Sequence, residues 1–590
     1  MPPPVVDYAS VRNLAAMFFE RAAWGGDRPF LWAKHAGAYR STSWRQVVEQ
    51  VGALAKALRA RGLAPGDRVM LVAENRPEWA IADLAIMTAG GITVPAYATA
   101  TAEDLRHVLI DSGAAAAIVS GGLAGRMLPV ARDARCPLAV VMDGPPSGEQ
   151  TAGLTLLGWD ALLAEGAALA GDARALAALP TRDDIACLIY TSGTGGMPRG
   201  VMLTHANILH NIWSAFDLLE EVGRGDEIFL SFLPLSHSYE HSAGQFLAIS
   251  VGAEIYYAEG ADKLAANLLE ARPTITTAVP RLFEAMHQRI ALQVKNHPPL
   301  RRWLFDQAVA LGTKRYEQPD SMSLQERLLD KLLDRLVRTK IRARFGGRLK
   351  ALVSGGAPLN YHDGVFFQAL GVPVFQGYGQ TESSPFLACN RPRKIKLHTV
   401  GPALLGVELA IADDGEILAR GPMVMKGYWG DPEGTEAVVR DGWLHTGDIG
   451  RLDADGYLQI TDRKKDIIVI SGGDNISPAK VEAELTREPE IAQAMVYGDK
   501  HPYLVALLVP EDHLAARDRE TVRAVLGAAL DRANRRLSQL ERVRSFLVAS
   551  EPFTIANAML TPTLKIRRHR IRETYRDPLE ALYARQRAAD

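Results

Sequence analysis

The chain has 590 residues, more than one hydrophobic core can organise, so several domains are expected. Its 47% hydrophobic and 23% charged residues exclude the disordered and fibrous classes. With 67 basic against 68 acidic residues the net charge is −1, which removes any global electrostatic case for nucleic acid as a partner.

The N-terminus, MPPPVVDYASVRNLAAMFFERAAWGG, lacks a basic region followed by a clean apolar run, and no signal peptide is expected. Residues 79–102 are the most membrane-like stretch, but Asp83, Gly90-Gly91 and Pro95 interrupt them, which predicts a buried helix followed by a buried strand. Cys136, Cys187 and Cys389 have no metal-ligand spacing; they read as core residues of a protein in a reducing cytoplasm. From Arg68 onward apolar runs alternate with helical patterns (RVMLVA, PEWAIADLAIMTA, ITVPAY, AEDLRHVLIDSG, AAAAIVS), the rhythm of a parallel sheet covered by helices. A second such series is expected to begin at 185–190 and to continue through EIFLSF, AEIYYA, TITTAV and KALVSG.

Residues 301–350 carry thirteen Lys/Arg and six Asp/Glu, and SLQERLLDKLLDRLVRTKIRARF has leucines at helical spacing. The plain reading is an amphipathic helix with its leucines on the core and its charges in water. The alternative is a basic face that makes peripheral contact with an anionic membrane. Between about 385 and 460, short β-like pieces separated by DDG, RDG and DADG predict a small β subdomain. A last α/β unit runs from Asp462 to the C-terminus, with strands near DIIVIS, QAMVYG and LVALLVP.

YTSGTGGMPRG at 190–200 follows an apolar strand and precedes a helix-like stretch. Thr191, Ser192 and Thr194 offer hydroxyls, Gly193, Gly195, Gly196 and Gly200 free backbone N–H groups to close on an anion, and Arg199 adds charge. No Lys-Ser/Thr pair follows the glycines, so this is not a P-loop. The segment resembles the phosphate loop of the adenylate-forming superfamily of acyl-CoA synthetases, peptide-synthetase adenylation domains and luciferases. It departs from the family pattern in having Gly195 for a threonine and Arg199 for a lysine.

Further motifs carry the same resemblance in the same order. LPLSHSYEH at 233–241 places His237 beside the family's acyl and phosphate site. SGGAPL at 354–359 is similar to the turn against the adenine, implicating Gly355, Gly356, Ala357 and Pro358. GYGQTES at 377–383 implies a nucleotide contact along Gly377, Tyr378 and Gly379, with Thr381 meeting the α-phosphate and Glu382 holding Mg²⁺. WLHTGDIG at 443–450 implies Asp448 at the ribose hydroxyls. ITDRKKDIIVISGGDNISP at 460–478 implies a hinge at Asp462, Arg463 reaching the ribose, and Gly472 and Gly473 lining a CoA channel. LTPTLKIRR at 560–568 implies that Lys565 bridges substrate carboxylate and α-phosphate.

The resemblance implies an adenylate-forming α/β fold. A large N-terminal domain, residues 1–461, would hold two α/β subdomains and the small β subdomain; a smaller mobile α+β domain would span 462–590. It implies ATP-dependent formation of an acyl-adenylate, then thioester formation with CoA. Residues 301–350, VPRLFEAMHQRI at 279–290 and PLSHSYEH together resemble bacterial long-chain fatty-acid–CoA ligases, so the substrate expected is a long-chain fatty acid. A fatty acyl-AMP ligase serving a carrier protein and an aryl or other acyl-CoA ligase are the alternatives. The expected location is the cytoplasm, with attachment to the inner face of the membrane and homodimer formation both left open.

Overall fold

A computed structural model describes residues 4–144, 154–191, 197–471, 474–561 and 566–587. The described chain divides into two compact units. The larger holds Met1–Leu409, Ala419–Leu444 and Ala454–Leu458; the smaller holds Ala410–Leu418, His445–Asp453 and Gln459–Asp590.

The larger unit is built on two sheets, each of eight described strands. In one, Arg68–Val72 lies between Ile92–Ala96 and Ala116–Val119, all parallel. The helix Pro77–Thr88 between the first two is buried nearly all round, Asp83 included, and Ile92–Ala96 is buried throughout, as the interrupted 79–102 stretch predicts. Met70, Val72, Val94, Ala117, Val119 and Leu188 share one core with the helices above them. The three cysteines are buried and unpaired by disulfide.

Two expectations change here. Ile185–Thr191 does not open the second sheet; it joins the first, with Cys187 opposite Thr93 of Ile92–Ala96. The second sheet instead recruits Pro29–His35 from the N-terminal region, parallel to Glu254–Tyr257. Ala186–Ile189 is buried on both faces, so its hydrophobicity is satisfied in the middle of either sheet and its sequence cannot choose between them.

In the second sheet Ile228–Ser231, Ile275–Ala278, Ala351–Ser354 and Val374–Gly379 are consecutive parallel neighbours. Helices between parallel strands return the chain to the same edge each time, so these four strands end side by side. Residues 408–463 form the expected β-rich segment, with strands Glu408–Ile411, Glu416–Arg420, Val439–Arg440, Trp443–Leu452 and Leu458–Arg463 in one small sheet. The smaller unit adds the strands Ile491–Tyr497, Leu504–Pro510 and Val543–Val548, flanked by the helices Pro478–Leu485, Arg519–Asn534 and Arg568–Arg587.

The basic stretch folds as the helices Pro299–Glu317, Leu324–Leu333 and Thr339–Arg344, with a π-helical turn at Asp334–Arg338. Its leucines split. Leu329, Leu333 and Val337 pack with Leu304, Ala308 and Leu311, whereas Leu324, Leu328, Leu332 and Leu336 are exposed. The plain reading of this helix therefore accounts for only Leu329 and Leu333 among its leucines.

Glu240, at the start of a second π-helical turn, Glu240–Phe246, is fully buried and accepts a hydrogen bond from Thr277. Burial pushes its carboxyl up to about 7. A folded-state value above the ordinary 4.5 means that its contribution to stability is complete below that value and is lost as pH rises through about 7. From about pH 5 to about pH 8 the wild type should lose about 3 kcal/mol relative to Glu240→Gln. Parallel pH–stability curves in thermal unfolding would contradict this.

Candidate active site

Most of the residues singled out in the larger unit lie just beyond the ends of the four parallel strands. Gly355 N donates to Ala278 O across two of those ends, at 3.0 Å. A Cβ on Gly355 would stand 3.0 Å from the Tyr239 ring, so the glycine lets the turn press onto that side chain. Tyr239 in turn donates from its hydroxyl to Val353 O at 2.8 Å. Gly356, Ala357 and Pro358 are exposed at the tip of this turn, and Gly356 has a φ of +81°.

Val374–Gly379 carries Gly377, the nearly buried Tyr378 and Gly379 into a short 3₁₀ turn, Thr381–Ser383. A Cβ on Gly379 would lie 1.6 Å from Pro385 O, which excludes every other residue there without backbone movement. Thr381 is buried, and its hydroxyl lies 3.0 Å from Ser238 Oγ. His237 precedes that serine in a tight turn. Its Nδ1 accepts from Tyr239 N–H at 3.1 Å, which leaves Nε2 as the protonated nitrogen of the neutral ring. Ser238 and Tyr239 stand inside LPLSHSYEH directly after the histidine, and their two hydroxyls are the signal for them in the sequence.

Glu382 accepts a hydrogen bond at Oε1 from the Tyr428 hydroxyl, at 2.9 Å. Burial raises the Tyr428 phenol, and the charge of Glu382 adds to the rise, so the proton stays on tyrosine. The Arg199 guanidinium lies over the Tyr428 ring, 4.0 Å from its centroid, and Arg199 Nη1 is 3.4 Å from Asp431 Oδ2. Asp431 also caps the helix Pro432–Val438 through Gly434 N–H. Two motifs far apart in sequence, the loop arginine and the acid of GYGQTES, thus meet on one tyrosine. Sequence reading did not single out Tyr428 or Asp431. The Asp-Pro helix start was a visible signal for Asp431; the tyrosine had none beyond its place before it.

The glycine-rich loop follows the expected strand and precedes the expected helix, with one further strand between loop and helix. Thr191 ends the strand Ile185–Thr191, and Arg199 begins an antiparallel partner, Arg199–Thr204, with Thr191 opposite Arg199. The helix begins only at His205, where Thr204 and Asn207 form a capping box. The loop is therefore a strand-to-strand connection, and no helix N-terminus follows it directly. A Cβ on Gly200 would stand 3.1 Å from the Tyr190 ring, so the glycine lets the ring pack closely there. Ser192, Gly193, Thr194, Gly195 and Gly196 lie outside the described residues.

The smaller unit brings together Asp448, on Trp443–Leu452, and Arg463, at the end of Leu458–Arg463. Arg463 Nε donates to Asp448 Oδ1 at 3.1 Å, and Asp448 is buried. Asp462 is also buried, and its Oδ1 accepts from Arg463 N–H at 2.6 Å; burial raises its carboxyl. Lys565, Gly472 and Gly473 lie outside the described residues. Leu560 pairs with Ile566, and Arg568 forms a two-pronged pair with Glu482 at 2.5 and 2.6 Å.

Among the described residues no group of three or more His, Cys, Asp or Glu side chains could hold a metal. One oriented carboxylate, Glu382, fits a Mg²⁺ ion whose other ligands are phosphate oxygens and water, the usual way that cation binds with nucleotides.

The two glycines give a sharp contrast. Gly356→Ala should cost about 1–2 kcal/mol, the ordinary penalty of a left-handed residue, because nothing lies closer than 3.9 Å to its added Cβ. Gly379→Ala should lower the melting temperature further and distort the Thr381–Glu382 turn. Equal melting temperatures for the two variants would show that the turn relaxes freely.

Comparison with known proteins agrees with these features. Residues 18–429 match the family model described as AMP-binding enzyme, and residues 465–587 match that of the AMP-binding enzyme C-terminal domain. The long-chain-fatty-acid–CoA ligase FadD15 of Mycobacterium tuberculosis is 34% identical over 593 residues, covering 97% of each chain. Long-chain-fatty-acid–CoA ligase 1 of Cavia porcellus is 31% identical, over 99% of this chain and 88% of its own. The solved A domain of a carboxylic acid reductase from Segniliparus rugosus, in complex with AMP and a co-purified carboxylic acid, shares the fold at a TM-score of 0.77. It is 24% identical, over 99% of this chain and 97% of its own. Fold, paired domain models and full-length relatives agree: the chain belongs to the AMP-binding enzyme family, the adenylate-forming superfamily that includes the acyl-CoA synthetases.

Proposed function

We propose that this protein activates a long-chain fatty acid with ATP and transfers the acyl group to CoA. The observation that carries the reading is the end-to-end similarity, through both domains, to relatives named long-chain-fatty-acid–CoA ligases. The same relatives weigh against the acyl-AMP ligase and aryl-CoA ligase alternatives.

In the first step a carboxylate oxygen of the fatty acid attacks the α-phosphorus of ATP, and the bond to pyrophosphate breaks. Nucleophile and target are both anionic, so the chain's task is to neutralise charge and to align the reactants. Thr381, held by Ser238, presents a hydroxyl for the α-phosphate. His237 donates from Nε2, its other nitrogen being fixed by Tyr239 N–H. Asp448, oriented by Arg463, accepts from the ribose hydroxyls. Arg199 and the amides of residues 192–196 take the outer phosphates, and Lys565 bridges carboxylate and α-phosphate. Glu382 would hold a Mg²⁺ ion, which would supply further charge neutralisation at the phosphates. In the second step the CoA sulfur attacks the acyl carbon, and AMP leaves with the electrons of the broken acyl–phosphate bond. We assign Gly472 and Gly473 to CoA binding and Asp462 to the hinge in this second step.

Three measurements test these roles. Pyrophosphate and AMP release with acids from acetate to stearate and with benzoate, with and without CoA, should show affinity rising about fourfold per methylene and thioester formed only with CoA. Pyrophosphate release without any thioester would overturn the ligase reading. Lys565→Ala should slow adenylation by about 10²–10³, as losing one transition-state donor does, and a wild-type rate in the folded variant would remove its role. Tyr428→Phe should raise the Mg²⁺ concentration needed for half-maximal rate several-fold while leaving the KM for fatty acid in place; an unchanged Mg²⁺ requirement would detach the tyrosine from Glu382's function.

A further inference from the structure

The leucines that the core leaves out form a regular row. Leu324, Leu328, Leu332 and Leu336 are spaced four apart, and their exposures are 81%, 69%, 52% and 41%. Residues at this spacing share one helix face. The opposite side is fully used: Leu329, Leu333 and Val337 pack on the helix Pro299–Glu317, against Leu304, Ala308 and Leu311.

The charges divide in the same way. Each acid between 324 and 340 is already held by a cation. Glu326 pairs with Lys314 at 2.7 Å, Asp330 with Arg315 and the buried Arg338 at 2.7 and 2.6 Å, and Asp334 with Arg342 at 2.7 Å. The charged residues exposed in that stretch, Arg327, Lys331, Arg335 and Lys340, are all basic. Arg327, Lys331 and Arg335 each follow a leucine of the row by three positions, so they lie beside it. Leu300 and Trp303, at the start of the neighbouring helix, are also exposed. A solvated helix has no physical reason to place four leucines in water between three cations. An interface with an apolar interior and an anionic surface matches both sets.

We propose that the face formed by Leu324, Leu328, Leu332 and Leu336 with Arg327, Lys331 and Arg335 docks this protein on an anionic lipid surface. The contact is peripheral, since no described helix is long and apolar enough to cross a membrane. The leucines enter the boundary of headgroups and acyl chains, and the long Lys and Arg stems reach up to lipid phosphates.

The test is co-sedimentation of the full chain, without substrate, on vesicles of phosphatidylcholine alone and on vesicles containing phosphatidylglycerol. The wild type should bind the anionic vesicles in a salt-sensitive way and leave the neutral ones. The triple variant R327E/K331E/R335E should lose roughly a hundredfold in binding and L328S/L332S at least about tenfold. Both variants change exposed residues outside the proposed active site, so each should keep its melting temperature and its wild-type rate on a short, water-soluble fatty acid. Absence of wild-type binding, or equal binding by the variants, overturns the proposal. So does concentration-dependent self-association that L328S/L332S abolishes while vesicle binding is absent, because the face would then meet a second copy. Binding is read without turnover, so a failed chain-length profile and a failed membrane contact remain separate results.

Discussion

Parallel pairing of Ala351–Ser354 with Ile275–Ala278 on one side and Val374–Gly379 on the other forces the chain out at the same sheet edge three times within about a hundred residues. The site residues from His237 to Glu382 hang on that edge, while Thr191 and Arg199 belong to the other sheet. With several connections leaving a narrow strip of backbone, they must pass closely, and glycine is the residue that allows it. Gly379 lies against the Pro385 carbonyl and Gly355 against the Tyr239 ring. The reward for this crowding is order. Thr381 meets Ser238, and Tyr239 ties its own turn to Val353, so polar groups from distant segments are fixed before any ligand arrives. Catalysis between two anions depends on such preorganised donors, since groups that reorient during reaction give back much of what they contribute.

A second organising element is the use of aromatic and acidic groups to hold cations in place. Arg199 is set between the Tyr428 ring and Asp431, and the hydroxyl of the same tyrosine reaches Glu382. A charge held by a ring face and one carboxylate is only partly neutralised, and so still attracts phosphate. In the smaller unit the buried Asp448 is oriented by Arg463, while Glu482 and Arg568 pin the chain three residues past Lys565. The described residues next to that segment are themselves tied down, Arg568 by this ion pair and Leu560 by its bridge to Ile566.

The basic segment between 301 and 350 shows what charge counting misses. Thirteen cations against six acids look like a uniformly solvated surface. In the fold Glu326, Asp330 and Asp334 are drawn onto neighbouring cations, so the outward face is more positive than the composition suggests. Which leucines point outward follows from where the helix Pro299–Glu317 lies, and that is a tertiary matter.

Chemistry and fold class were legible in the order of the residues alone. YTSGTGGMPRG, GYGQTES, WLHTGDIG and LTPTLKIRR are local patterns in which glycine, hydroxyl and charge occur at fixed offsets, and local offsets survive whatever the rest of the chain does. The helix Pro77–Thr88 and the strand Ile92–Ala96 were legible for the same reason, since a proline start and two glycines punctuate them. Partnership between elements was set by long-range packing. Ile185–Thr191 is apolar on both faces, so nothing in it says which sheet it enters, and strand choice rests on its pairing with the distant Ile92–Ala96. The meeting of Arg199, Tyr428 and Glu382 spans more than two hundred positions and had no local signature. The four exposed leucines carried the same periodicity as the buried ones. A period shows that a helix has faces; only packing shows which face is left to the outside.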